Sequence, residues 1–306
     1  MPHQPPSPFP PVLAPGAAQP APSAVATRRG LVEVISVGAG PAVLALHGAM
    51  GGCDQSLLLA QTLGEAGYRY VAPSRPGYLG TPLAAGRSPG EQADLYADVL
   101  DALGLGRVAV MAVSGGGPSA IHFALRHPAR CEALVLASTT GAPVEDRPPL
   151  AFYLLPLLVR WPGFERRARA ATARDPLGAA RRSVTDAALL ERLTADPEAW
   201  ALFQSLTLST SDRMAQRMAG TLNDVAVSRA REYPLEEVAV PTLVLHGTRD
   251  PLVPFARHGR ALASRIPGAE LLALEGGEHP AIFTHRDEAR ARVTAFLRAH
   301  AGPASG

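Results

Sequence analysis

MAVSGGGPSAIHFALRHP, Met111 to Pro128, sets one serine in front of three glycines, between an apolar run and a helical pattern. RVAVMAV, residues 107–113, reads as a strand buried on both faces. GGPSAIHFALRHP reads as a helix stopped by its proline. Ser114 therefore stands on a sharp strand–turn–helix connection. Three readings are open at this point: a nucleophile on a strained turn, a glycine-rich phosphate loop, or a plain small-residue connection. A turn this sharp forces its central residue into a sparsely populated backbone conformation. Residues two before and two after must be small, which is the physical content of G-x-S-x-G. Here those positions are Ala112 and Gly116, so the pattern departs by one methyl group.

The phosphate reading loses ground on composition. All 29 basic residues are arginine, so a Walker A lysine, a pyridoxal Schiff base and a lysine nucleophile are excluded. A second glycine stretch, VGAGPAVL (residues 37–44), resembles the opening of a dinucleotide fingerprint. That fingerprint needs a helix next, whereas PAVLALHG continues as a strand, so a turn between two strands is the better reading.

Outward from Ser114 the same rhythm repeats. LVEVISV, AVLALHG, YRYVAPS and CEALVLAS read as strands. SLLLAQTLGEAG and SPGEQADLYADVLDALGL read as helices between them. From 142 to 233 there are helical segments and no convincing strand. The α/β rhythm then returns with PTLVLHGTRD, ARHGRALASRI, AELLALEG and DEARARVTAFLRAH. The expected fold class is α/β, a mostly parallel doubly wound sheet flanked by helices, with a helical cap inserted at 142–233. The core is expected over 27–141 and 234–300. The Pro/Ala-rich residues 1–26 read as a disordered tail, and 301–306 as a frayed end.

With 47% hydrophobic residues a sizeable core can be buried, and a net charge of +2 advertises no nucleic-acid partner. Cys53 and Cys131 make no disulfide framework. No run is long and apolar enough for a membrane span, and the start lacks a signal-peptide pattern, so a cytoplasmic location is expected. No histidine pair has H-E-x-x-H spacing and no cysteine cluster occurs; no metal or other cofactor is expected.

A serine hydroxyl needs a base, and the base an orienting group. Downstream, Asp250 follows one buried strand and His279 lies in a glycine-flanked loop past the next. Upstream, LALHGAMGG ends another strand in small residues. Its Ala49 N–H can pair with that of Gly115 as an oxyanion hole. HGAMGG, SRPGYLGT, AVSGGGPSA, LHGTRDPLVP and GGEHP, in this order, make the chain resemble an α/β-hydrolase with a helical cap, over roughly residues 31–300. The resemblance implies an eight-stranded type of sheet, with Ser114 as nucleophile, Asp250 as orienting acid and His279 as base. It sets aside aspartate-nucleophile members, because position 114 is serine. Ring-cleavage C–C hydrolases of this family usually carry a glycine-proline-rich version of the HG loop, which HGAMGG does not match.

The expected activity is cleavage of a carboxylic ester or related acyl compound through an acyl-enzyme, on a small apolar acyl substrate. Alternatives on the same scaffold are a ligand-binding sensor, a cofactor-free haloperoxidase, an amidase or a lactonase. His47 and His246, each before a glycine at a strand end, are expected to hold their own loops. Arg75 reads as structural, in a loop that borders the pocket on one reading. Candidate pocket walls are Met50, Val113, Phe152, Trp161, Trp200 and Val253. LAFYLLPLLVRW reads either as a lid over an apolar pocket or as the cap's own core, and ERRARAATARDP as a solvated face. The substrate and the oligomeric state are not legible in the sequence.

Overall fold

The computed structural model describes residues 9–13, 18–145, 148, 150–161, 163–229 and 233–302. Eight strands form one sheet: β1 (Ser23–Thr27), β2 (Gly30–Val37), β3 (Ala42–Leu46), β4 (Arg69–Pro73), β5 (Val108–Val113), β6 (Cys131–Ala137), β7 (Thr242–Gly247) and β8 (Glu270–Leu274). Their spatial order is β1-β2-β4-β3-β5-β6-β7-β8. β2 runs antiparallel to both of its neighbours, and every pairing from β4 to β8 is parallel.

Alternation along the central strands builds two cores. Leu44, Leu46, Val110 and Ala112 pack on one face with α2 (Pro89–Ala102) and α3 (Gly117–Arg126). Val43, Ala45, Ala109 and Met111 pack on the other with α1 (Cys53–Leu63) and α12 (Arg286–Ala301). Successive side chains leave a strand on opposite faces, so a strand covered on both sides is apolar throughout. That is why AVLAL and VAVMA carry no polar residue.

Between β6 and β7 the chain forms α4 (Leu150–Leu158), α5 (Phe164–Arg174), α6 (Pro176–Ala180), α7 (Ala187–Ala195), α8 (Pro197–Thr210) and α9 (Met218–Ser228), with no strand among the described residues. Asp175, Asp186 and Asp196 accept from backbone N–H groups at the starts of α6, α7 and α8. α10 (Gly259–Arg265) links β7 to β8, and the short α11 (Ala281–Thr284) leads into α12.

The N-terminal boundary differs from expectation. Ser23–Thr27 pairs with β2 as an edge strand, and its first four residues lie inside the stretch read as tail. Its small, mostly exposed side chains leave no hydrophobic alternation to read. Further upstream, the Pro10 carbonyl accepts from Ala66 N–H and the Arg290 guanidinium stacks on Phe9. At the other end α12 runs to Ala301, which is buried; residues 303–306 and the expected fraying there lie outside the described residues.

In the order β4-β3-β5 the chain first steps one way from β3 and then returns over it. The crevice at the carboxyl ends of β3 and β5 lies at that reversal, where doubly wound sheets bind ligands.

Candidate active site

Ser114 leaves the end of β5 with φ +51, a left-handed conformation that costs a side chain about 1–2 kcal/mol. A single 3-10 turn, Ser114–Gly116, then feeds α3. The surroundings admit little else. A Cβ on Gly116 would stand 2.7 Å from the carbonyl oxygens of Leu46 and His47, and one on Gly48 would stand 3.1 Å from Ser114 Cβ. The Thr139 hydroxyl donates to Ser114 O and pins the turn from just past the end of β6. Ala112 is fully buried in register with Leu46 and Leu136, so its extra methyl is accommodated within the sheet.

His279 and Asp250 meet Ser114 there. His279 Nε2 is 3.1 Å from Ser114 Oγ, and Nδ1 is 2.8 Å from Asp250 Oδ2. The imidazole keeps some exposure while the Asp250 carboxylate is fully enclosed. Burial alone would raise the pKa of Asp250. The hydrogen bond and charge of His279, with the Val253 and Leu252 N–H groups, outweigh it, and the pKa is lowered. Those N–H groups donate to Oδ1 at 2.9 Å each, leaving Oδ2 for the imidazole. His246, at the end of β7, holds the same loop through Nε2 to Val253 O at 2.7 Å. Chemically, this arrangement can take a proton from the serine hydroxyl and stabilise the cation so formed.

The loop after β3 supplies the facing wall. The fully buried His47 has Nδ1 2.6 Å from Gly48 O, and its Nε2 accepts from Arg75 N–H at 3.0 Å. These partners select the neutral Nδ1–H tautomer. Burial, then the charge of Arg75, hold the pKa of His47 well below the usual imidazole value. Arg75 Nη2 also donates to Gly48 O. In a trans peptide the N–H points opposite to the carbonyl. Gripping Gly48 O therefore aims Ala49 N–H away from His47 and Arg75. Ala49 N lies 3.2 Å from where a Cβ on Gly115 would project, so the two expected donors are neighbours.

The helical insertion is fastened to these same loops, through insertion residues that the sequence did not single out. Arg75, 1% exposed, pairs with Asp224 of α9, and Tyr78 OH donates to the same carboxylate. Burial would lower the pKa of Arg75, but Asp224 outweighs it and the pKa is raised, so the guanidinium stays charged. Met50 is held at φ +56, with its N–H on Thr221 Oγ1 and its carbonyl accepting from Gln55 and Arg217. Arg217 in turn pairs with Asp54 at 2.6 Å. Beside His279, the Glu278 carboxylate accepts from the N–H groups of Thr185 and Asp186. Lone polar residues inside helical segments carry no motif, so nothing in the sequence marked Asp224 or Thr221.

The expected pocket walls fare unevenly. Met50 lies in the loop facing Ser114. Val113 is half-buried at the end of β5 and packs against the α1–α12 core, and Val253 braces Asp250 through its backbone. Phe152 is half-buried on α4, edge-on to Tyr153. Trp200 stacks on Phe203 within that core. Trp161 is a correction: it is 62% exposed, with the Arg167 guanidinium over its ring. α4 is apolar on every side, so periodicity could not tell its inner face. Against Gly115, Arg75 and Asp224 lies a cavity of about 40 Å³, room for a few waters rather than an acyl chain. Among the described residues no group of three His, Cys, Asp or Glu side chains is disposed to hold a metal ion.

Comparison with known proteins agrees with this architecture. A poly(3-hydroxyalkanoate) depolymerase of Ectopseudomonas oleovorans is 32% identical over 77% of this chain and 80% of its own length. A 2-hydroxy-6-oxononadienedioate/2-hydroxy-6-oxononatrienedioate hydrolase of Pseudomonas putida is 31% identical over 84% of this chain and 87% of its own. The solved structure of an alpha/beta hydrolase fold protein from Nakamurella multipartita superposes with a TM-score of 0.81 and 34% identity, covering 91% of this chain and 99% of that one. With the model of the alpha/beta hydrolase fold family matching residues 41–286, the chain belongs to that family.

Proposed function

We propose that this hydrolase cleaves a carboxylic ester or related acyl compound, with Ser114, His279 and Asp250 as its catalytic triad and residues 142–233 as a cap over the site. The observation that carries this reading is the relay of 3.1 and 2.8 Å from Ser114 Oγ through His279 to Asp250, on a serine held at φ +51. His279 Nε2 takes the hydroxyl proton as Oγ attacks the carbonyl carbon. The N–H groups of Ala49 and Gly115 receive the developing oxyanion. The imidazolium returns its proton to the leaving alkoxide, and the acyl group stays on Ser114. His279 then deprotonates a water, which attacks the acyl-enzyme; as the acyl–Oγ bond breaks the imidazolium returns the proton to Ser114 Oγ and the acid is released. Base catalysis and the oxyanion donors are each worth on the order of a hundredfold or more.

The similarity to a poly(3-hydroxyalkanoate) depolymerase supports an ester-linked substrate. The similarity to the Pseudomonas putida hydrolase favours a second reading, in which the same three residues open a carbon–carbon bond beside a ketone. A fluorophosphonate probe and a p-nitrophenyl ester test the first reading together. Labelling at Ser114, with turnover that Ser114→Ala abolishes, supports it. Labelling without ester turnover, alongside cleavage of a vinylogous 1,5-diketone acid, favours the second. Near-full ester activity in Ser114→Ala overturns both.

A further inference from the structure

The helical insertion carries an apolar face that the described residues leave uncovered. α4 is apolar at every position from Leu150 to Leu158. Its inner side, Phe152, Leu155 and Val159, turns toward the protein, and Val159 is 6% exposed. The other side is a continuous stripe at three- and four-residue spacing: Leu150, Tyr153, Leu154, Leu157, Leu158 and Trp161, all between 45% and 86% exposed. A helix that is apolar all round is normally buried all round. Contiguous exposed apolar surface of this kind marks an interaction site.

The chain that follows the stripe points to its partner. Between Arg160 and Arg182 the chain carries seven arginines against two acids, Glu165 and Asp175. All seven arginines are exposed. Arg169 pairs with Asp212; the other six have no ion-pair partner among the described residues. Glu165 and Asp175 each accept from a backbone N–H. Arg166 and Arg167 converge on Gly163, between α4 and α5, and Arg167 lies over the Trp161 ring at 5.6 Å. Cations thus rim the apolar stripe at its Trp161 end.

A second copy of the chain could cover the leucines, but the patch it brings is the same apolar, arginine-rimmed one, which carries no surplus of acids to meet the arginines. An anionic polymer would meet the arginines but leave the leucines in water. A lipid surface with anionic headgroups satisfies both halves at once. α4 is about 13 Å long, far short of the roughly 30 Å hydrocarbon core, so it would lie in the interface plane.

We propose that α4 and the start of α5 dock the protein on an anionic lipid surface. The Leu150–Trp161 stripe sits at the headgroup–acyl boundary, and Arg166 and Arg167 lie among the phosphates. This does not depend on the chemistry assigned to Ser114.

Cosedimentation of the full chain with vesicles tests the proposal, using phosphatidylcholine alone and phosphatidylcholine containing one quarter phosphatidylglycerol. Partitioning is expected to be at least about tenfold stronger onto the anionic vesicles and to weaken as salt is added. Arg166→Ser with Arg167→Ser is expected to reduce it by on the order of twentyfold. Leu154→Ser with Leu157→Ser is expected to abolish it, with an unchanged thermal midpoint, because both side chains are exposed. Equal partitioning onto the two vesicle types, or none by the parent chain, overturns the proposal. So does lipid-free dimerisation in sedimentation equilibrium that the leucine variant loses, which assigns the face to a second copy. The parent chain's salt dependence decides the matter even if a variant misfolds.

Discussion

Arg75 and Asp224 meet across the boundary between the sheet and the helical insertion, directly behind Gly115. Arg75 Nη1 lies 2.9 Å from Asp224 Oδ1, while its Nη2 reaches both the same carboxylate and Gly48 O. One guanidinium thus connects α9 to the peptide that aims Ala49 N–H. Asp224→Asn leaves the shape and removes the charge that fixes Arg75. For a p-nitrophenyl ester kcat is expected to fall about tenfold, less than the hundredfold or more for deleting an oxyanion donor, with KM nearly unchanged. A parallel drop in the fluorophosphonate labelling rate is expected. Unchanged kcat with a lowered thermal midpoint would make the pair purely structural.

Asp250→Asn is expected to be far more damaging, for a reason visible in the hydrogen bonds. The Leu252 and Val253 N–H groups donate to Oδ1, so they select the carbonyl oxygen of an asparagine at that place. The amide NH2 then faces His279 Nδ1, which becomes an acceptor. The ring proton moves to Nε2, against Ser114, and the base is lost. A fall in kcat of about 10³- to 10⁴-fold follows, with the fold intact by circular dichroism. A loss of less than tenfold would remove Asp250 from the proposed mechanism.

The two small positions around Ser114 are not equivalent. A methyl at Gly116 meets two backbone oxygens at 2.7 Å, which cannot move without shifting β3. Gly116→Ala is expected to cost about 1–3 kcal/mol in urea denaturation and to lower turnover steeply. Ala112→Gly restores the commoner motif, yet it removes a fully buried methyl from a central strand. It is expected to cost about 1 kcal/mol and leave turnover within twofold. Equal tolerance at both positions would refute the packing account of the turn.

These contrasts show what the sequence carried. The alternation of buried strands and helices was legible because a sheet covered on both faces must be apolar without interruption. Ser114, Asp250 and His279 were legible as a group because each follows a strand end, and the structure brings them within hydrogen-bonding distance. β1 was not legible, since an exposed edge strand of small residues has no pattern to read. Nor were Asp224, Thr221 and Glu278, because their partners lie 149, 171 and 93 residues away in the chain. The outward face of α4 escaped for the opposite reason: its apolar residues point in every direction.

Buried histidines are expected to weaken the fold in acid. His47, His246 and His258 are each almost fully enclosed, and burial is the leading cause that lowers their pKa values, that of His258 to about 4. Unfolded, each imidazole takes up a proton near pH 6.5; folded, each takes it up only at a lower pH, well below that value for His47 and about 4 for His258. Unfolding therefore binds protons below about pH 6.5, and stability falls as pH drops through that window, by about 1.4 kcal/mol per pH unit for each histidine inside it. For His258 the window closes near pH 4. Asp250, whose pKa is lowered, contributes its share fully above the ordinary carboxyl value and loses it only below, so it leaves this window unaffected. Urea midpoints measured at neutral pH and at about pH 5 should show a clear loss at the lower value. A midpoint that holds steady or rises over that interval would mean that these imidazoles take up protons in the folded state, opening the loops that His47 and His246 hold.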